Sequence, residues 1–170
     1  MSLPAALQSR RACLQLAGLM LLGSRAGDSA AASALASPTV LADELVLALK
    51  KNSPLLVMVS LDGCPFCKVA RENYLLPLQR DENVSVVQIN MRYQTLIQDF
   101  KGVSHTQDSL ISSWQIKVAP TVLFFGRAGT EVAERLVGGY LPDYYGAYLD
   151  ERLRVARAAL QLPLAPVSAN

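Results

Sequence analysis

Cys64 and Cys67 are the residues whose type and spacing point most directly to chemistry. Two cysteines three positions apart at a helix start can close a disulfide with each other, or supply half of a zinc site. A structural zinc site usually takes four protein ligands. Beyond this pair the 170-residue chain has one cysteine, Cys13, and one histidine, His105. A zinc site is therefore short of ligands, redox chemistry leads, and no metal is expected. His105, between Ser104 and Thr106, reads as a solvated loop residue.

The pair must be positioned by its flanks. Leu55 to Leu61 is an unbroken apolar run, as in a central strand buried on both faces. Lys68 to Leu76 suits a helix, so the cysteines fall in a tight loop between strand end and helix start. Ser37-Pro38 suits an N-cap and first-turn proline for an earlier helix carrying Leu41, Leu45, Ala48 and Leu49. Asn52-Ser53-Pro54 breaks that helix. The helix after Cys67 carries Val69, Ala70, Tyr74 and Leu75, and Pro77 is expected to kink or end it. Val84 to Ile89 is a second β-rich run. Residues 92–107 are the least readable, with Leu96, Ile97 and Phe100 suggesting a short amphipathic turn.

Ser109 to Gln115 reads as a helix with Leu110, Ile111 and Trp114 facing the core. Thr121 to Phe125 is a strand, residues 126–130 a hairpin loop, and Glu131 to Val137 the partner strand. Pro142 opens a last helix with Tyr145, Leu149, Leu153, Ala156 and Leu160 on one stripe. The first two strands join through a crossover helix and should be parallel; the last two form an antiparallel hairpin. The expected fold is α/β, a mixed sheet with helices on both faces.

The first 36 residues differ in character. Arg10-Arg11 precedes an apolar run, Ala12 to Gly23, too short for the roughly 20 residues that span a bilayer. A basic start, a short apolar stretch and then small residues describe an export signal. Ala34-Leu35-Ala36 fits a cleavage site, with Ala30-Ala31-Ala32 as a rival. The organisation expected is a signal peptide over 1–36, whose Ser9-Arg10-Arg11 start resembles a twin-arginine signal, a domain over 37–162 and a tail over 163–170. Removing the leader removes Cys13 and leaves thirteen basic and thirteen acidic residues. A neutral remainder offers no field for nucleic acid or for an anionic membrane. The remaining pair is then a clip or a catalyst. A clip across two intervening residues removes little chain entropy, which favours the catalyst.

Three stretches resemble the thioredoxin fold: Cys64-Pro65-Phe66-Cys67 after the first long strand, Val118-Ala119-Pro120-Thr121 opening the hairpin, and Gly138-Gly139-Tyr140 after it. The resemblance covers roughly Ser37 to Leu160. It is nearest to exported bacterial thioredoxin-like proteins, including the SoxW-like proteins of sulfur-oxidation clusters. It implies a four-stranded thioredoxin-like sheet and a cis proline at Pro120 facing the cysteines. There are departures. Cytosolic thioredoxins carry Trp before the first cysteine and Gly-Pro between the pair, where this chain has Gly63 and Pro65-Phe66. Their buried acid six positions before the first cysteine is Met58 here.

A helix N-terminus stabilises an anion, so Cys64 is expected to attack as a thiolate and the more buried Cys67 to resolve the mixed disulfide. Phe66 and Pro65 would meet the partner protein, and the backbone of Ala119 beside Pro120 would pair with an extended substrate segment. The expected protein is a monomeric, periplasmic thiol–disulfide oxidoreductase. Its cofactor is nothing beyond its own disulfide. Its partners are protein thiols or disulfides and a membrane or periplasmic redox protein, with no nucleic acid and no stable membrane insertion once the leader is cleaved. Two other readings remain open: a thiolate copper carrier, since soft thiolates select Cu(I), and an interaction subunit with a static disulfide.

Overall fold

The computed structural model describes residues 34–139 and 142–161, all within the unit spanning residues 31–170. The leader up to residue 33, Tyr140 and the tail from Pro163 lie outside the described residues. In chain order the elements are α1 (Leu41–Lys50), β1 (Leu55–Ser60), α2 (Pro65–Val69), a π-helical segment (Ala70–Leu75), α3 (Leu76–Glu82) and β2 (Ser85–Asn90). There follow β3 (Leu96–Gln98), β4 (Ser104–Thr106), α4 (Gln107–Ser113), β5 (Thr121–Phe125), β6 (Leu136–Val137) and α5 (Pro142–Gln161).

Every residue of β1 is buried. Because a strand turns successive side chains to opposite faces, this requires cover on both sides. Leu56 and Met58 join one core with Ala70, Leu75 and Leu78 of the helix after the cysteines and with Tyr145, Leu149 and Leu153 of α5. Leu55, Val57 and Val59 join the other, with Leu41, Leu45 and Ala48 of α1 and Leu110 and Ile111 of α4. The sheet order is β2-β1-β5-β6. Val57 lies opposite Val87 in the parallel β1–β2 pair and opposite Leu123 in the antiparallel β1–β5 pair. The expected mixed four-stranded sheet and both helical layers are present.

β2 forms one edge, and its outward backbone groups have partners. The Gln88 N–H donates to the Ala36 carbonyl at 2.9 Å. The Asn90 N–H donates to Gln107 Oε1 at 2.7 Å, and the Val86 carbonyl accepts from Gln79 Nε2 at 3.3 Å. The Ala36 contact changes the expected start of α1. Ala36 bridges Val87 and Val40 bridges Gln98, and the helix begins at Leu41 after an uncapped Val40. Pairing along the sheet edge outweighs the local capping signal of Ser37-Pro38. Ser37 Oγ is instead 3.3 Å from Gln107 Nε2.

Pro77 does not end its helix, which continues to Glu82. The π segment before it shifts the bonding pattern, so that Leu76 N–H donates to Arg71 five residues back. A helix interior penalises proline through a missing donor and a clash with the preceding turn, and the wider turn relieves this. Residues 92–107 contain an unexpected small hairpin, β3–β4, with Ile97 opposite His105. His105 is therefore on a strand, its Nε2 3.2 Å from Asp99 Oδ2. α4 starts two residues earlier than expected because Thr106 and Ser109 form a reciprocal capping box. The partner strand expected over Glu131 to Val137 is paired at Leu136–Val137 and at a bridge from Glu131 to Phe125. Between these, Arg135 folds back onto Glu131, Nε to Oε2 at 2.8 Å, and donates to the Trp114 carbonyl at 2.6 Å.

Candidate active site

β1 delivers the chain to the sheet end, where Asp62-Gly63 turns it. Gly63 has φ +71°, a conformation that favours glycine, and opens the corner in which Cys64 sits. The Cys64 N–H donates to the Leu61 carbonyl at 3.2 Å, closing the turn. Cys64 is the N-cap of α2 and Pro65 occupies the first helical turn, where its missing N–H costs nothing. The Cys67 N–H donates to Cys64 Sγ at 3.1 Å. A sulfur at this position meets the free donors and positive end of a helix, which favours a thiolate when the bond is reduced.

Cys64 and Cys67 are joined in a disulfide with a Cα–Cα distance of 5.2 Å. Cys67 is 1% exposed, whereas Cys64 is half-buried and reaches the surface. The pair is thus unequal in the sense expected. Met58, fully buried, belongs to the same core as Cys67, so the strand beneath the buried sulfur presents a thioether rather than a carboxyl group.

The Ala119–Pro120 bond is cis. The Ala119 carbonyl oxygen lies 3.9 Å from Cys64 Sγ. Thr121 Oγ1 donates to the Val118 carbonyl at 2.7 Å, and the Gly138 N–H donates to the Pro120 carbonyl at 2.7 Å, which pins this loop on both sides. A Cβ on Gly139 would stand 3.3 Å from Phe66 Cβ and 3.7 Å from Pro120 Cγ, so glycine lets the three segments meet. Phe66 is 45% exposed, and Pro65 is exposed beside it. Cys64, Cys67, Pro65, Phe66, Ala119 and Pro120 are therefore brought to one end of the sheet. His105 is not among them; its ring is paired within the β3–β4 hairpin.

The other flank of the disulfide carries groups that the sequence pattern did not single out. A depression of about 320 Å³ beside the disulfide is lined by Asp62, Lys68, Arg71 and Gln88 among others. Arg71 Nη1 donates to Gln88 Oε1 at 3.1 Å, and Gln88 Nε2 donates to Asn90 Oδ1 at 2.9 Å. Arg71 follows Cys67 by four residues, a helical spacing that places both on one face and could have flagged it. Asp62 accepts from the Tyr93 hydroxyl at 3.0 Å, and this hydrogen bond raises the Tyr93 pKa above its ordinary value.

This arrangement defines the class. Residues 41–153 match the thioredoxin-like domain family, and the chain belongs to it. Within that family, a Cys64-x-x-Cys67 pair in disulfide contact supports thiol–disulfide redox chemistry. Similar solved structures include oxidised mitochondrial thioredoxin 3 from Saccharomyces cerevisiae, at 16% identity, covering 71% of this chain and 93% of that one with a TM-score of 0.46. A thioredoxin-fold protein from Helicobacter pylori is similar at 17% identity, covering 65% and 84%, TM-score 0.42. A poplar thioredoxin h is similar at 22% identity, covering 64% and 85%, TM-score 0.43. Comparison with curated proteins finds no match.

Proposed function

We propose that the protein is an exported thiol–disulfide oxidoreductase acting on protein substrates. The observation that carries this reading is the unequal pair: a surface-reaching Cys64 whose sulfur accepts a helix N–H, backed by a buried Cys67. In the reducing direction, the Cys64 thiolate attacks one sulfur of a substrate disulfide. A Cys64–substrate bond forms and one substrate thiolate leaves. Cys67, as thiolate, then attacks Cys64 Sγ; the second substrate thiolate leaves and the Cys64–Cys67 bond closes. Two electrons have passed to the substrate, and a dithiol partner in the membrane or periplasm must restore them. The same steps run backwards for an oxidant. Phe66 and Pro65 would contact the substrate, and Ala119 beside Pro120 would pair with its backbone.

Export rests on the Arg10-Arg11 leader and its apolar run. Leu35 is 7% exposed within a core, and Ala36 pairs with Val87. Cleavage after Ala36 would discard both contacts, whereas the rival site ending at Ala32 keeps them. We therefore place cleavage after Ala32, and the periplasm and SoxW-like kinship follow as part of this proposal. Among the described residues no helix is long and apolar enough to cross a membrane.

Redox titration of the purified protein against defined thiol buffers tests the activity. Exchange proteins have potentials of about −270 to −120 mV, whereas structural disulfides lie below about −300 mV. A reversible potential in the first range supports the proposal. A value in the second identifies a static clip.

A further inference from the structure

The hollow of about 320 Å³ beside the disulfide is bounded by both cysteines, by Lys68 and Arg71 from the helical stretch that follows them, and by Asp62 and Gln88. Two cations therefore share it with one anion. The anion is engaged elsewhere, since the Asp62 carboxylate accepts from the Tyr93 hydroxyl at 3.0 Å. Arg71 is unusual among the described arginines. Arg80, Arg135, Arg152, Arg154 and Arg157 each pair with a carboxylate. Arg71 instead gives Nη1 to the neutral amide of Gln88, at 3.1 Å. That amide donates in turn to Asn90 Oδ1 at 2.9 Å, and both residues belong to β2, so a strand of the sheet fixes the guanidinium.

The rest of the guanidinium is free. Arg71 is only partly buried, and its Nε and Nη2 are neither enclosed nor bonded to any of the described residues. Nε and Nη2 share the edge of a guanidinium that binds a carboxylate by two parallel hydrogen bonds. Arg80, Arg135 and Arg154 use this same edge to hold Asp81, Glu131 and Glu151. On Arg71 the edge is held in place, open to solvent, and lacks an acid of its own.

We propose that Arg71, with Lys68 adding charge, binds a carboxylate of the disulfide substrate during exchange. The inference rests on the thiol–disulfide exchange proposed above and adds which substrates it favours. The Cys64 thiolate attacks one substrate sulfur and one substrate thiolate leaves; Cys67 then attacks Cys64 Sγ and releases the second. While the substrate is tethered to Cys64, the hollow that both cysteines share with Arg71 receives its acidic group. The carboxylate comes from a low-molecular-weight acidic thiol or from an acidic residue near a protein cysteine.

The test oxidises the fully reduced protein with disulfides matched except in charge. One pair is dithiodipropionate and its neutral diamide. The other is a set of alanine-serine peptide disulfides with Glu or Gln stepped away from the cysteine. Rates are read by acid quench and mass spectrometry, and each is divided by that of the same disulfide with dithiothreitol, which removes intrinsic reactivity. The acid-to-neutral ratio should be about five at low salt, the upper range for one partly exposed ion pair, and about one in ~1 M salt. Preference in the small pair assigns the carboxylate to a small thiol; preference in the peptides assigns it to a protein. Arg71→Gln should bring the ratio to about one, Arg71→Glu should invert it, and Arg71→Lys should keep a preference for the acid. Because the ratio compares two substrates on one protein, changes in folding or thiolate basicity cancel. Lys51→Gln, before the far end of β1, should leave the ratio unchanged. A parent ratio of one, a preference that salt does not weaken, or an equal loss with Lys51→Gln overturns the subsite and leaves the exchange activity standing. A parent that none of these disulfides oxidises overturns both.

Discussion

Reducing the Cys64–Cys67 bond should barely change the stability of the fold. The bond closes a loop with a sequence separation of only 3. Chain entropy then favours the oxidised form by about 1.9 kcal/mol, against about 3 kcal/mol for a 15-residue loop. Opposing this, the Cys67 N–H, 3.1 Å from Cys64 Sγ in the oxidised form, donates to a charged thiolate once the bond is reduced. Bonds to charged groups contribute about 1.5–3 kcal/mol. The two effects nearly cancel, leaving the forms within about 1 kcal/mol of each other.

The assay is urea unfolding of oxidised and reduced protein at about pH 9, above the ordinary thiol pKa of about 8.5. The thiolate contribution is present above the unfolded thiol pKa and lost as pH falls through the folded one, so acidification should tilt the balance toward the oxidised form. Cys64→Ala in reductant should lose about 1 kcal/mol relative to Cys64→Ser, which keeps an N-cap oxygen. An oxidised form more stable than the reduced by well over 3 kcal/mol at about pH 9 would refute the cancellation and the redox-active reading with it.

Four further outcomes are expected. Cys67→Ser should accumulate mixed disulfides with partner proteins on non-reducing gels and Cys64→Ser far fewer; equal trapping by both contradicts the assigned order of attack. Phe66→Ser should leave the unfolding midpoint within about 0.5 kcal/mol of the parent, as an exposed substitution does, while slowing exchange with protein disulfides more than with a small one. Gly129→Ala should cost about 2 kcal/mol or more in a denaturant melt, since a left-handed residue alone costs about 1–2 kcal/mol; here φ is +69° and the added Cβ would lie 2.4 Å from Phe100 Cβ. The Asp99 carboxyl resists burial, which raises its pKa, but the Val103 and Lys101 amides and His105 together hold it below the ordinary value. Its contribution is present at neutral pH and lost as pH falls through that lowered value, so the protection of the β3–β4 amides, taken against intrinsic exchange at each pH, should fall in acid and Asp99→Asn should blunt the change.

The sheet was legible because its strands are strongly patterned. Leu55–Ser60 and Thr121–Phe125 are continuous apolar runs, and both are buried throughout. The site was legible at Cys64 and Cys67 from residue type and spacing alone, and at Ala119 and Pro120 through the family resemblance. β3 and β4 escaped because each has three residues and only Ile97 among them is fully buried, too little for a period to show. Ser37-Pro38 misled because a local cap signal competes with a long-range partner, Val87, that sequence spacing does not reveal. That the helix runs on past Pro77 to Glu82 was not legible, since it depends on a widened turn set by the preceding residues. Tyr145 was readable as a buried stripe residue, but its unmet hydroxyl is a property of three-dimensional packing.

The outer margin of β2 has a consequence for life at high concentration. Exposed strand edges are templates on which other chains can add, and they drive aggregation. Here the outward Gln88 and Asn90 donors and the Val86 acceptor are taken by Ala36, Gln107 and Gln79. The opposite margin, β6, is two residues long. A second polypeptide therefore finds no lengthy run of open backbone on either side of the sheet. Edge-to-edge addition of further chains therefore has little to build on at either margin.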